Sequence, residues 1–254
     1  MLMDVPDILS LIDISKSYDK KTVLDKVNVS VQLNNSTGII GRNGAGKTTL
    51  IKIILGLLQA SSGEVRYFGG QKLDNAVKKK IGFFIGLEYL PEELTGLQYL
   101  QFVNFLYNGN GRQSDENLLN LFEFFFEERD SAKKSISSYS FGMKQKIGIC
   151  GALVNQPQLL ILDEPFSGLD AFSCKRLIAF INKYRQNATV LISSHDLTFI
   201  EKICDHLMIL EKNQIIYNDT LANFTTSGKQ TLEDSLFRLL SPQDTNDEKI
   251  NWLV

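Results

Sequence analysis

The chain has 254 residues, a hydrophobic fraction of 43% and a formal net charge of −2. This length suits one large or two small domains, and the near-neutral charge excludes a global attraction to nucleic acid or anionic lipid. The sequence has no run of about 18 apolar residues that would predict a membrane span, and its N-terminus lacks the pattern of a secretory signal. If the protein acts at a membrane, we expect other chains to cross it.

The first part of the chain alternates strand-like segments with one helical segment. Runs of β-type residues predict five strands, at residues 8–14, 27–33, 37–40, 64–68 and 81–85. Helical periodicity predicts a helix over residues 47–58. A glycine-rich turn separates this helix from the strand before it.

The middle of the chain has a different character, because no strand pattern interrupts it. Apolar stripes at helical spacing predict three helices, over residues 97–107, 115–127 and 141–154. Ser114 is the expected cap of the second helix. We therefore expect a helical insertion over about residues 86–155, with a core that contains Phe122, Phe124, Phe125 and Phe126.

The alternation of strands and helices resumes after Pro157. The predicted strands are 159–162, 189–193, 206–210 and 214–217, and the predicted helices are 171–184, 197–204 and 232–240. This order indicates an α/β fold with a mostly parallel sheet covered on both faces. Residues 1–240 are expected to form the folded domain, followed by a polar tail over residues 241–254.

The strongest chemical signal is a glycine-rich loop between a predicted strand and a predicted helix. Its residues fit the pattern G-x-x-x-x-G-K-[ST], and they are Gly41, Arg42, Asn43, Gly44, Ala45, Gly46, Lys47 and Thr48, with Thr49 next in the chain. Glycines let the backbone wrap around a phosphate chain, and successive N–H groups at a helix N-terminus bind anions. Lys47 is expected to neutralise phosphate charge, and Thr48 is expected to ligate Mg²⁺.

A second signal is an apolar strand that ends in two carboxylates, Asp163 and Glu164. In parallel sheets, ligands lie at the carboxyl ends of the strands. Asp163 is therefore predicted to hold Mg²⁺, and Glu164 to polarise an attacking water. Many strands end in acidic residues, so this pattern alone is weak evidence for a catalytic site. It becomes strong evidence because the same chain also has the phosphate loop.

With these two motifs on one chain, the sequence resembles the ATP-binding subunits of ABC transporters over nearly its whole length. The family signature has its counterpart in Tyr139-Ser140-Phe141-Gly142-Met143, just upstream of the Asp-Glu pair. The resemblance implies a P-loop NTPase core with an antiparallel β portion and a helical ABC subdomain. It also implies that Ser140 and Gly142 reach the ATP of a partner subunit. A bulky residue at position 141 followed by Gly-Met-Lys-Gln resembles the sequences of the branch that includes bacterial peptide-antibiotic export and immunity transporters.

Further positions take their expected roles from the same resemblance. Tyr18 stands where the family has an aromatic residue that stacks on adenine. Asp170 lies in the segment through which the two protomers of the family communicate. His195 matches the histidine that contacts the γ-phosphate. The family usually has a glutamine at the end of the strand that opens the helical insertion, but this chain has Gly86. Glu88 is nearby and is a candidate substitute.

The resemblance implies an ATP-hydrolysing subunit that powers export of a drug, a peptide antibiotic or a lipid-like cargo, with ATP and Mg²⁺ bound. It implies separate transmembrane permease subunits, a second ATP-binding subunit, no nucleic acid, and a cytoplasmic position on the inner face of the plasma membrane. One alternative is an ABC-type ATPase of translation or DNA repair, but such proteins usually carry two cassettes or a long coiled coil. Another is a binding-only regulator, although Lys47, Asp163, Glu164 and His195 are all present.

Overall fold

The computed structural model describes residues 7–19, 21–108, 113–226 and 228–240, and the expected polar tail lies outside this range. The strands in chain order are β1 Asp7–Tyr18, β2 Lys21–Gln32, β3 Ser36–Ile40, β4 Ser62–Tyr67, β5 Ile81–Phe84, β6 Leu159–Asp163, β7 Thr189–Ser193, β8 His206–Glu211 and β9 Gln214–Thr220. The α-helices are α1 Lys47–Ile54, α2 Asn75–Lys78, α3 Gly96–Asn108, α4 Asp115–Phe126, α5 Phe141–Leu153, α6 Ala171–Tyr184, α7 Leu197–Ile203, α8 Leu221–Phe224 and α9 Leu232–Leu240. Short 3₁₀ helices are Leu87–Tyr89, Arg129–Lys133 and Ile136–Ser138.

The main sheet has six strands in the order β5-β6-β7-β3-β8-β9. All neighbouring pairs are parallel except β8 and β9, which are antiparallel. The register places Ile39 of β3 opposite Ser193 of β7, and Ser193 opposite Asp163 of β6. The carboxyl ends of β6, β7 and β3 therefore meet at one edge of the sheet, which confirms the expected α/β class.

A second, antiparallel sheet has three strands in the order β2-β1-β4. Strand residues alternate between the two faces of the main sheet and so divide the core in two. On one face, Ile39, Ile161 and Met208 pack with α1 and the antiparallel sheet. On the other face, Ile40, Leu162 and Ile209 pack with α5, α6 and α7. The parallel strands are apolar throughout because both faces are covered.

The segment between β5 and β6 contains α3, α4 and α5 and the three 3₁₀ helices. Ser114 caps α4 by accepting a hydrogen bond from the N–H of Asn117, as predicted. Phe122 and Phe125 are buried in the core of this segment, as expected. The prediction was wrong for Phe124, which is 43% exposed and lies against Phe125, Phe180 and the guanidinium of Arg176.

Helix α1 ends at Ile54, four residues earlier than periodicity predicted. Gly56 adopts φ 68°, a left-handed conformation that glycine accepts without a Cβ clash. Its N–H donates to Ile53 O at 3.0 Å, and the N–H of Leu57 donates to Lys52 O at 2.9 Å. This pair of bonds is the Schellman motif, which closes a helix C-terminus. The apolar residues that follow continue the pattern without continuing the helix.

Candidate active site

The phosphate loop joins the end of β3 to the start of α1. Gly46 is the N-cap of α1 with φ 110°, and among the described residues no side chain caps this helix. The first backbone N–H groups of α1 are therefore not bonded to a capping side chain, and they can bind an anion at the positive end of the helix dipole. A Cβ at Gly41 would lie 2.5 Å from Leu210 O of β8, so the loop backbone follows the sheet more closely than any other residue permits.

Lys47 lies inside this loop and is only 8% exposed. Its Nζ donates to Gly41 O at 2.7 Å and to Arg42 O at 3.4 Å. The ammonium group is thus held beneath the curve of the backbone, where it adds a full positive charge to the partial charges of the N–H groups. This arrangement fits a polyphosphate.

Thr48 and Asp163 come from opposite sides of the site and meet in a hydrogen bond. Thr48 Oγ1 donates to Asp163 Oδ2 at 2.7 Å, and Ser193 Oγ donates to Asp163 Oδ1. A hydroxyl and a carboxylate are oxygen ligands of the kind that Mg²⁺ prefers. In the described part of the chain, no cluster of three or more His, Cys, Asp or Glu side chains could hold a metal on its own. Mg²⁺ bound here would therefore need phosphate oxygens as well, which is its usual mode in phosphoryl-transfer sites.

Glu164 follows β6 directly and turns its side chain towards His195. Its φ of 48° lies in the left-handed region, which is uncommon for a residue with a Cβ. Glu164 Oε2 is 2.7 Å from His195 Nδ1 and also accepts from the N–H of His195 at 3.3 Å. The histidine thus holds the carboxylate at the mouth of the site.

Two residues that the sequence did not single out hold Glu164 from behind. Ser193, which is fully buried, accepts from the N–H of Glu164 at 3.0 Å while it donates to Asp163. Gln145, 4% exposed on α5, donates from Nε2 to Glu164 O at 2.9 Å. In the sequence each is simply a polar residue, and its burial is seen only in the folded chain.

A cleft of about 350 Å³ brings half of the predicted site residues together. The residues that line it are Val23, Asn43, Gly44, Gly46, Lys47, Thr48, Thr49, Asp163 and Glu164. Within the described ranges, eight predicted residues are not part of that lining: Tyr18, Gly41, Arg42, Ala45, Ser140, Gly142, Asp170 and His195. Tyr18 is 47% exposed at the end of β1, with Lys16 Nζ 5.0 Å from the centre of its ring.

Comparison with known proteins decides the family. The family model described as ABC transporter matches residues 24–167. The bacitracin transport ATP-binding protein BcrA of Enterococcus faecalis is 34% identical over 219 residues, which are 85% of this chain and 70% of that protein. The lantibiotic transport ATP-binding protein SrtF of Streptococcus pyogenes is 33% identical over 82% of this chain and 89% of its own length.

The chain belongs to the ABC transporter family. It binds and hydrolyses ATP and energises an ABC transporter. The solved structure of an ATP binding subunit of an ABC transporter has a TM-score of 0.82 and 28% identity, and covers 91% of this chain and 99% of that one. A dimeric, post-hydrolysis ATP-binding cassette bound to ADP and Pi has a TM-score of 0.73. At 24% identity, over 84% of this chain and 98% of that one, it supports the fold alone.

The signature segment of this ABC subunit lies at the N-terminus of α5. Ser140 is the N-cap, and its Oγ accepts from the N–H of Met143 at 3.3 Å. The hydroxyl hydrogen of Ser140 therefore remains available for another acceptor. A Cβ at Gly142 would lie 2.8 Å from Gly168 O, so this position requires glycine. The ring of Phe141 lies against Gly168, and it would collide with a Cβ at position 168.

Asp170 closes the loop that Phe141 covers and caps α6. It accepts from the N–H of Ser173 at 2.9 Å and from the Ser173 hydroxyl at 2.7 Å. These bonds, together with the charge of Lys146 at 4.0 Å, lower the pKa of the Asp170 carboxyl below its ordinary value. Lys146 belongs to α5, so a second contact ties the signature helix to this loop.

Gly86, where the family has glutamine, has φ 143° and lies just after β5. The Glu88 carboxylate occupies the space into which a Cβ at Gly86 would project. Parallel pairing of Phe84 with Leu162 places the carboxyl ends of β5 and β6 at the same edge of the sheet, so Gly86 and Glu164 both follow strands that end there. Glu88 thus folds back over the position of the missing side chain, and its role as a substitute for glutamine stays a prediction.

Proposed function

We propose that this subunit powers an exporter of a peptide antibiotic or similar cargo from the inner face of the plasma membrane. Two of its relatives carry bacitracin and lantibiotic transport in their names, and they support this choice of cargo class. The bulky residue in the signature, Phe141, supports the same branch. No helix in the described ranges is long and apolar enough to cross a membrane. We also propose domain bounds of 1–240, with residues 86–155 as the helical subdomain.

The observation that carries the proposed chemistry is the continuous chain of bonds Thr48–Asp163–Ser193–Glu164–His195 beside the phosphate loop. The loop N–H groups and Lys47 bind the phosphates of ATP, and Tyr18 stacks on its adenine. Thr48 and Asp163 would hold Mg²⁺, which would supply charge neutralisation at the phosphate oxygens.

The hydrolytic step belongs to Glu164 and His195. Glu164 takes a proton from water as the water oxygen bonds to the γ-phosphorus. The bond from that phosphorus to the bridging oxygen breaks, leaving ADP and inorganic phosphate. His195 orients the Glu164 carboxylate and faces the γ-phosphate. A residue that accepts the proton must lie within hydrogen-bond reach of the water, and Glu164 stands at the rim of the cleft that holds the loop.

The second half of each site is proposed to come from a partner subunit. Ser140 and Gly142 lie outside the cleft that contains the phosphate loop, although the helix they begin can bind an anion through its N-terminus. A head-to-tail dimer places this N-terminus on the γ-phosphate of ATP held by the other subunit, with Asp170 at the contact between them. Closure of the dimer and its reopening after hydrolysis then drive the permease.

An apolar groove of about 640 Å³ is the proposed docking surface for the permease. Exposed apolar side chains line it, among them Leu57, Tyr89, Phe102 and Leu106, and Lys78 and Lys79 lie at its rim. Exposed apolar patches of this kind mark protein–protein contacts. The groove fits an amphipathic cytoplasmic segment of a permease with an acidic residue opposite the lysines. It also includes Gly86, so it borders the catalytic edge of the sheet.

The docking surface is tested with two neighbouring substitutions. Leu106→Asp is expected to release the subunit from the membrane fraction of the source cells without reducing ATP hydrolysis by the purified chain. Phe105→Asp is the matched control, because Phe105 is 59% exposed but outside the described lining of the groove. If both variants stay with the membrane, the groove is not the docking site.

The catalytic assignment is tested with Glu164→Gln, which keeps size and removes the base. Hydrolysis should fall roughly 10²-fold or more, the usual contribution of a general base. ATP binding should persist, and a nucleotide-dependent dimer should accumulate on size-exclusion chromatography. Glu123→Gln, on the exposed face of α4, serves as the control. Parental hydrolysis by Glu164→Gln would show that another group is the base.

A further inference from the structure

The backbone turn at Glu164 is strained and is held from two sides. Residues with a Cβ adopt a left-handed conformation such as φ 48° at a cost of about 1–3 kcal/mol, and they do so only where the surroundings impose it. On one side, the N–H of Glu164 donates to Ser193 O at 3.2 Å and Ser193 Oγ at 3.0 Å. On the other side, its carbonyl accepts from Gln145 Nε2 at 2.9 Å. Both peptide groups of the residue are therefore fixed.

Gln145 differs from Ser193 because it belongs to the helix that begins with the signature segment. It lies about one and a half turns from Ser140 along α5. A shift of α5 therefore acts directly on the Glu164 carbonyl through this bond. Ser193 instead ends β7 and so belongs to the central sheet and not to that helix.

A buried amide at this position calls for an explanation, because an apolar side chain would fill the helix face as well. Gln145 is 4% exposed, and its neighbours Ile147 and Ile149 on the same helix are apolar and buried. Burial of an amide is unfavourable unless it is hydrogen-bonded. The described bond of Gln145 goes to the main chain of the residue that carries the carboxylate.

We propose that Gln145 is a positioning residue for Glu164, which transmits the position of the signature helix to the carboxylate of the same subunit. The inference rests on the proposed function, in which Ser140 meets the ATP of the partner and Glu164 acts as base. ATP seated against Ser140 in one composite site then sets the aim of Glu164 in the other. The two sites of a dimer are coupled through this one hydrogen bond in each subunit.

The test removes the hydrogen-bond donor of Gln145 and keeps the length of its side chain. Gln145→Met should lower kcat by about 10-fold, because small errors in the aim of a catalytic group are costly. KM and the ATP dissociation constant should stay within about two-fold, and the Hill coefficient for ATP should fall towards 1. Gln145→His carries a ring N–H at a similar reach, so it should recover most of the lost kcat. If Gln145→Met is unstable, Gln145→Asn, which is too short to reach, should give the same loss.

Ile147→Met is the matched control, since it introduces the same side chain at a buried position of the same helix. It should change the melting temperature without changing kcat. Parental kcat in folded Gln145→Met or Gln145→Asn, or an equal loss of kcat in Ile147→Met, would overturn the inference. Glu164→Gln distinguishes a failure of the proposed function from a failure of the role given to Gln145. Full activity of that variant removes the proposed function itself, whereas an inactive Glu164→Gln beside a normal Gln145→Met removes only the role of Gln145.

Discussion

The phosphate loop and the signature segment both lie at helix N-termini, but they differ in how the chain treats those ends. The loop begins α1 with a glycine in the left-handed region and no described side-chain cap, and it encloses Lys47 at 8% exposure. The signature begins α5 with an exposed Ser140 that caps its own helix. One end is a site assembled within a single chain, and the other is a surface. The difference supports the proposal that each ATP site is shared, with the phosphate loop from one subunit and the signature segment from its partner.

Ser140→Arg, in the signature segment, should have the largest effect of the substitutions proposed here. The bulky cation should abolish ATP-driven dimerisation and hydrolysis, while binding of ATP to the monomer stays within about two-fold, because Ser140 lies outside the phosphate-loop cleft. Sedimentation, phosphate release and a calorimetric titration measure the three quantities. Ser138→Arg, two residues earlier and also exposed, is the control. Full hydrolysis by Ser140→Arg would refute the shared site.

Mixing the Ser140→Arg and Lys47→Ala variants tests whether the phosphate loop of one subunit works with the signature segment of the other. In a mixed dimer, one composite site carries both changes and the other carries neither. Partial hydrolysis should therefore reappear, although neither variant is active alone. Absence of recovery despite mixed dimers, shown by differently tagged copies, would count against independent composite sites.

Lys47→Ala should break the loop half by removing the charge that faces the phosphates. Loss of one partner of a buried, hydrogen-bonded charge pair costs about 2–5 kcal/mol, so ATP should bind at least about 30-fold more weakly. Lys52→Ala in the last turn of the same helix should leave ATP affinity unchanged, since Lys52 lies over the Tyr89 ring. Calorimetry measures both variants. Equal affinity in Lys47→Ala and the parent would contradict the role given to the loop.

The two halves also differ in how well the sequence predicted them. The loop and the Asp-Glu pair are contiguous motifs at the ends of β3 and β6, and strand order brings them together. Ser193 and Gln145 contact residues that are 30 and 19 positions away, and no local pattern encodes such contacts. The end of α1 was missed because apolar residues continue beyond Gly56. The exposure of Phe124 depends on where α6 packs, which periodicity within α4 does not determine.

Asp170 provides a test with a smaller expected effect, on the loop that contains Gly168 and leads into α6. Asp170→Ala removes the N-cap of α6 and should cost about 1 kcal/mol in the free energy of unfolding. Asp170→Asn keeps a capping oxygen and removes the charge. The folded-state pKa of Asp170 is lowered, so its ionised form stabilises the fold at neutral pH and this contribution is lost as pH falls through the folded-state value. The difference in melting temperature between the parent and Asp170→Asn should therefore shrink below about pH 4. A difference independent of pH would exclude the charge as its origin.

Phe141→Gly should have an effect as small as that of Asp170→Ala, and it tests what the bulky signature residue does. The side chain is 54% exposed, and its ring rests on Gly168 of its own subunit. In this position it packs the signature against the loop that leads to Asp170. The variant should lose this contact and some helix propensity, about 1 kcal/mol or a few degrees in melting temperature. Hydrolysis should stay within about two-fold, because neither Lys47 nor Glu164 depends on the ring. Phe172→Gly is the matched control in the first turn of α6, where Phe172 is 61% exposed. If Phe141→Gly instead reduces hydrolysis as far as Ser140→Arg, the ring belongs to the contact between subunits. The signature surface would then extend from Ser140 across Phe141 to Gly168.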